Sequence, residues 1–122
     1  MTRFVFLIMF GAACAVPLAA QAQINPFRSS RIGSGLSQQD LRDLGDASRR
    51  LYTQDSVANG ASDTWSNPKS GNSGTITVVD SYQRQGNACH KLRYDMRLKL
   101  RSGVRTYTLS WCHMPDGSWK II

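Results

Sequence analysis

The chain contains no glutamate: all 8 of its acidic residues are aspartate, set against 15 lysines and arginines in 122 residues. Cysteine is scarce, at 3 residues, and none of the spacings that usually build zinc sites on turns, C-x-x-C or H-x-x-x-H, occurs. Internal repeats and low-complexity blocks are absent, so a repeat array is excluded. Long apolar runs are absent too. The longest, Phe4 to Leu18, falls short of the roughly 20 residues a spanning helix needs.

That run belongs to an N-terminal leader. Arg3 precedes it, and Ala20-Gln21-Ala22 follows as an A-x-A cleavage signal, so residues 1–22 read as a secretory signal peptide. Cys14 follows two small residues, as in a lipoprotein signal, but Gly11 stands where a branched aliphatic is expected. Lipidation at Cys14 is the alternative route to the membrane. Loss of the leader, with Arg3, leaves 14 cations against 8 acids, a net charge of +6 on 100 residues. A domain of that size and charge suits an anionic neighbour. In an exported protein that neighbour is lipopolysaccharide, peptidoglycan or acidic lipid, with an envelope protein as the other partner expected; nucleic acid is not expected.

Residues 23–35 are polar, Gly/Ser-rich and aperiodic, which predicts a flexible tether. Residues 36–122 form the folded domain. Its first element is a helix: Ser37 suits an N-cap and Asp40 completes a capping box. Leu41, Leu44, Ala47, Ser48 and Leu51 make one apolar stripe, and Gly60 is the expected stop. Turn chemistry around Trp65 fills residues 61–74. After it the period becomes two, with even positions apolar through 74–84 and 88–101 and odd positions apolar through 104–114. A three-residue loop at Gln85-Gly86-Asn87 places Ile76 opposite Met96. A tight turn at Ser102-Gly103 places Tyr94 opposite Trp111, and a loop at Pro115-Asp116-Gly117 places Trp111 opposite Ile121. The predicted fold is α+β: a four-stranded antiparallel meander with one amphipathic helix on its apolar face.

Cys89-His90 and Cys112-His113 raise three chemistries. Adjacent strand residues point to opposite faces, so neither pair readily binds one metal. Thiol catalysis needs an oriented base, and no carboxylate is expected beside either pair. Neither a catalytic residue nor a cofactor is therefore expected. A Cys89–Cys112 disulfide suits an oxidising compartment, and both cysteines share the outward face. The tight-turn register nevertheless places Cys112 opposite Arg93, roughly 13 Å from Cys89 at strand spacing. A bulge or a curl near Gly86 has to close that gap.

The outward positions of the long strand carry Lys91, Arg93, Arg97, Lys99 and Arg101, with Arg105 beyond the turn. This cationic ladder is the candidate anion-binding site; its bland reading is a solvated sheet face. Aromatics are not interleaved with it, so a stacking platform for single strands is unsupported.

Three segments, "WSNPKSGNSG", "GNACHKLRY" and "YTLSWCHMPDGSWKII", resemble the bacterial surface-antigen family, the seventeen-kilodalton rickettsial antigen and its relatives. The matching positions are Trp65, Asn67, Pro68, Ser70, Gly71, Gly74, Gly86, Cys89, Cys112, Asp116, Gly117 and Trp119. His90 stands where the family usually has arginine. The resemblance implies an envelope or surface protein with no agreed catalytic activity, located in the periplasm or at the outer membrane and cell surface. The expected function is a non-enzymatic envelope protein binding an anionic component or a protein partner. The alternative is a periplasmic inhibitor or chaperone-like binding module, with the Trp65 loop as its candidate surface.

Overall fold

A computed structural model describes Phe27 and residues 33–122. The expected leader over 1–22, Cys14 within it, and residues 23–32 apart from Phe27 lie outside the described residues. Helix α1 spans Gln38–Tyr52 and starts with the predicted capping box. Ser37 Oγ accepts the Asp40 N–H, and the Asp40 carboxylate accepts the Ser37 N–H. The predicted stripe is the buried one. The helix ends before Gly60, however: the Thr53 N–H and hydroxyl both donate to the Arg49 carbonyl and close the last turn.

Five antiparallel strands follow as a meander, β1 (Ser62–Asn67), β2 (Asn72–Arg84), β3 (Asn87–Arg97), β4 (Val104–His113) and β5 (Trp119–Ile121). The strand beyond the expected four is β1. Its helix-facing side chains Asp63, Trp65 and Asn67 include two polar groups, so no apolar alternation marks it.

The predicted faces hold for the core positions, whereas two registers differ. The β2–β3 turn has two residues, not three. Gln85 and Gly86 both take positive φ, 51° and 80°, the geometry whose twist matches the flanking strands. This pairs Arg84 with Asn87, and a bulge at Val79 absorbs one residue, so that Val78 faces Leu92 and Ile76 faces Tyr94. The bulge also turns over Tyr82. Expected beside Ile76 and Val78, it instead pairs with Cys89 and is exposed.

The β3–β4 connection is longer than the predicted tight turn: β3 stops at Arg97 and residues 98–103 lead to Val104. Its register is displaced by four residues, pairing Tyr94 with Tyr107, His90 with Trp111 and Cys89 with Cys112. The gap that opposed the disulfide disappears. The two cysteines are direct cross-strand partners, 4.1 Å apart at Cα and joined by a disulfide, within the reach such a bond requires. The β4–β5 register is the predicted one, with Trp111 opposite Ile121 and His113 opposite Trp119.

Helix α1 lies chiefly over β1 and β2, and the core forms between it and the sheet from Leu44, Ala47, Ile76, Val78, Leu92, Tyr94 and Met96, all fully buried. A buried phenol needs partners. Tyr94 has Ser48 Oγ on the helix and the Trp111 indole N–H, which donates at 2.9 Å. Burial pushes its pKa up to about 12. Phe27 is buried as well, 5.3 Å from the Tyr94 ring. The segment expected to be a tether therefore sends one side chain into the core, because that ring removes more apolar surface from water there than it could outside.

Replacing both cysteines, Cys89→Ala with Cys112→Ala, is expected to cost about 3 kcal/mol through the lost loop constraint. Urea denaturation should show a lower midpoint, and reductant added to the parent protein should reproduce it.

Candidate functional site

The family-motif residues and the cationic residues occupy different parts of the molecule. The motif residues from Trp65 to Gly74 form the end of β1, its turn and the start of β2, and two of them, Asn67 and Ser70, bind Asp40. This carboxylate is fully buried. Its Oδ1 accepts from Asn67 Nδ2 at 2.8 Å and Ser70 Oγ at 2.6 Å. Its Oδ2 accepts from Asn72 Nδ2 at 2.8 Å and the Ser37 N–H at 2.9 Å. Burial by itself raises the pKa of Asp40. Hydrogen bonds from Ser70, the Ser37 backbone, Asn72 and Asn67 outweigh it and hold the carboxyl below its usual 3.8.

The same side chains shape the turn. Asn67 Oδ1 accepts the Lys69 N–H, the Asn67 carbonyl accepts the Gly71 N–H, and Ser70 Oγ accepts the Asn72 N–H. Pro68 sits inside this turn. Gly74 is required by close approach: a Cβ there would lie 2.4 Å from the Trp65 indole nitrogen and 2.9 Å from the Asp95 carbonyl oxygen. Trp65 is 5% exposed and belongs to the core. Its indole N–H has no hydrogen-bond partner among the described residues.

The remaining motif residues also build structure. Gly86 serves the β2–β3 turn. Asp116 accepts both the N–H and the hydroxyl of Ser118, which fixes the loop around Gly117 and lowers the Asp116 pKa. Trp119 stacks on His113, with ring centroids 4.6 Å apart, and on His90 at 5.6 Å.

Both cysteines are spent in the disulfide, so neither is a thiolate. His90 is buried with both ring nitrogens engaged, Nδ1 by Ser81 Oγ at 2.8 Å and Nε2 by the Gln54 carbonyl. His113 has a carboxylate where none was expected: its Nδ1 lies 2.9 Å from Asp55 Oδ1. Sequence spacing could not bring Asp55 there, since the chain between α1 and β1 does so. Among the described residues no group of three or more His, Cys, Asp or Glu side chains is placed to hold a metal.

The cationic ladder is partly rearranged. Lys91, Arg93 and Arg97 are exposed along β3 on the face away from the helix. Lys99 and Arg101 lie in the β3–β4 connection, because the strand ends before them. Arg105 leaves the set. It pairs with Met96 on the helix side, and its Nη1 donates to the Ser34 carbonyl at 2.9 Å.

Arg93 and Arg97 border a concave surface of about 650 Å³, lined further by Thr64, Ser66, Ser73, Thr75 and Thr77. Asp95, in the same row, binds Arg93 at 3.0 Å and accepts from Thr106 at 2.7 Å. The hydrogen bond from Thr106 is the first cause of its lowered pKa, with Arg93 adding to it. Hydroxyls beside two guanidinium groups can hold phosphates or carboxylates on a polyhydroxylated chain.

Sequence reasoning missed the central place of Asp40, taking it only as a cap. The signal was available: positions 40, 44, 48 and 51 lie on one helical face, so Asp40 stands on the buried stripe. Asn72, outside the recognised motif, was missed for lack of any periodicity.

Asp40→Asn is expected to cost about 3 kcal/mol, since an amide group would face two amide donors without the charge that holds them. The contribution of ionised Asp40 is complete above its unfolded value, near 3.8, and is lost as pH falls through the lower folded value. Denaturation of both proteins across acid pH should show their stability difference narrowing below about pH 4.

Comparison with known proteins places the chain in a family. No solved structure matches the chain. Two proteins named "17 kDa surface antigen", from Rickettsia bellii strain RML369-C and from Rickettsia bellii, are each 26% identical over 113 residues, covering 92% of this chain and 69% of their own length. The family described as "17 kDa outer membrane surface antigen" matches residues 53–120, a span that holds every motif residue from Trp65 to Trp119, and the chain belongs to that family.

Proposed function

We propose that this protein is a non-enzymatic, exported envelope protein that uses the sheet face opposite its helix to hold an anionic envelope component, lipopolysaccharide or peptidoglycan. One observation carries the reading: Arg93 and Arg97 stand beside a row of serine and threonine hydroxyls on one concave surface. Arg97 has no ion-pair partner among the described residues, which leaves its guanidinium available to a ligand. Guanidinium groups recognise phosphate and carboxylate bidentately, and hydroxyls match a sugar backbone.

Export and an outer-membrane or surface location are supported by the description of the family and by the signal-like leader. No described helix is long and apolar enough to cross a membrane. The non-enzymatic reading draws on the same family and on the engagement of Cys89, Cys112 and His90 in structural bonds. The inhibitor or chaperone-like alternative draws nothing from Trp65, whose side chain lies in the core.

Reversing three charges, Arg93→Glu, Arg97→Glu and Lys99→Glu, should abolish retention on lipopolysaccharide and peptidoglycan fractions while leaving the thermal melt within about 1 kcal/mol of the parent, because exposed charges contribute little to stability. Parent retention should also fall steeply with added salt. A triple variant retained as well as the parent would reject this face as the contact.

A further inference from the structure

We propose that the β3–β4 connection, residues 98–103, is a docking device that seats Leu100 in the interface of an anionic lipid membrane. The inference rests on reading the cationic face as an anion contact, and it names the lipid surface as what this end of the face meets.

Leu100 is 94% exposed, about twice the exposure of any other large apolar side chain described. It is held there by a built turn. Leu98, 7% exposed, roots the loop in the core, and the Arg101 N–H closes the turn on the Leu98 carbonyl at 3.1 Å. The Lys99 N–H donates to Asn72 Oδ1 at 2.9 Å, and Asn72 is itself bound to Asp40. The Lys99 stem packs over Gly71, where a Cβ would come 2.6 Å from Lys99 Cδ. The buried carboxylate thus fixes, through one asparagine, the turn that puts a leucine into water.

Arg97, Lys99 and Arg101 flank that leucine in the chain and are all exposed, and the exposed Val104 pairs with Arg97 at the base of the loop. An apolar tip flanked by long cationic side chains has the composition of an interfacial anchor: the cations can reach headgroup phosphates while the apolar tip enters the acyl boundary. A hydrated polymer would satisfy the cations but offer the leucine nothing.

The path of the chain favours a lipid surface as well. The Ser34 carbonyl accepts from Arg105, and a Cβ on Gly35 would lie 2.9 Å from Leu98 Cδ2. Ser34 and Gly35 therefore lie beside this loop, so a lipid carried upstream on the same chain would keep the domain close to the surface that the loop meets.

The test is flotation of the exported protein, carrying Cys14→Ser so that no lipid is attached, with vesicles of phosphatidylglycerol and phosphatidylethanolamine, and with phosphatidylcholine vesicles as control. Binding is expected to the anionic vesicles only. Leu100→Asp should weaken it at least about tenfold, as loss of one buried leucine implies. Leu100→Trp should keep it and give blue-shifted emission quenched by brominated acyl chains. Because Leu100 is solvated, both variants should melt like the parent. If Leu100→Asp floats like the parent while the Arg93, Arg97 and Lys99 reversal does not, insertion is overturned and the cationic contact stands. Retention of the parent on peptidoglycan without vesicle binding overturns lipid docking alone.

Discussion

A buried carboxylate that meets no cation among the described residues governs the arrangement of this domain. Removing an ionised group from water costs several kcal/mol unless its lone pairs are met, and Asp40 meets that cost with four neutral donors. The donors come from different places: the helix cap, the last residue of β1, its turn, and the first residue of β2. The helix start and the first hairpin can satisfy the carboxylate in one relative position only. A hydrophobic contact would tolerate sliding, whereas four directed bonds do not. That is a physical reason for Asn67 and Ser70 to recur in a family motif, with Pro68 and Gly71 shaping the turn that presents them.

How much of this was legible follows from what each signal encodes. Alternation encodes faces, and the buried face of β2, β3 and β4 was readable because one side of the sheet is covered. Alternation does not encode register, since a slip of two or four residues leaves every core side chain on the same face. The tight turn assumed at Ser102-Gly103 and the real six-residue connection both turn Tyr94, Tyr107 and Trp111 toward the core. Only the real one sets Cys89 against Cys112. The disulfide was itself the missing constraint: imposing it would have fixed the β3–β4 register and shown that Lys99 and Arg101 lie beyond the strand. The bulge at Val79 left no trace of its own, because the apolar Tyr82 continues the even pattern past it. Strand β1 escaped for a different reason: its inward residues Asp63 and Asn67 are polar and find partners in Arg50 and Asp40.

The same logic separates what the motif marks from what the cations mark. Motif positions are turns, close approaches and stacked rings, so recognising the family locates the scaffold. The cationic residues form no motif. Their grouping depends on strand length and on which face each pair occupies, and Arg105 left the group for that reason. The surface on which Arg93 and Arg97 meet the hydroxyls of β1 and β2 comes from several strands and was invisible until they were registered.

The missing glutamate now has a structural counterpart. Aspartate carries its charge on a stem short enough to bond backbone within a few residues. Asp40, Asp63, Asp80 and Asp116 each accept a nearby N–H in this way. Asp55, Asp63 and Asp95 also hold His113, Arg50 and Arg93. The acids are thereby drawn toward the backbone and into local bonds. Arginine and lysine have long stems, and on β3 Lys91, Arg93 and Arg97 are exposed. Equal numbers of the two signs would not cancel at a distance under such an arrangement, and here cations are already in excess. The proposed contact with an anion rests on those exposed cations, which act within a Debye length, about 8 Å at physiological salt.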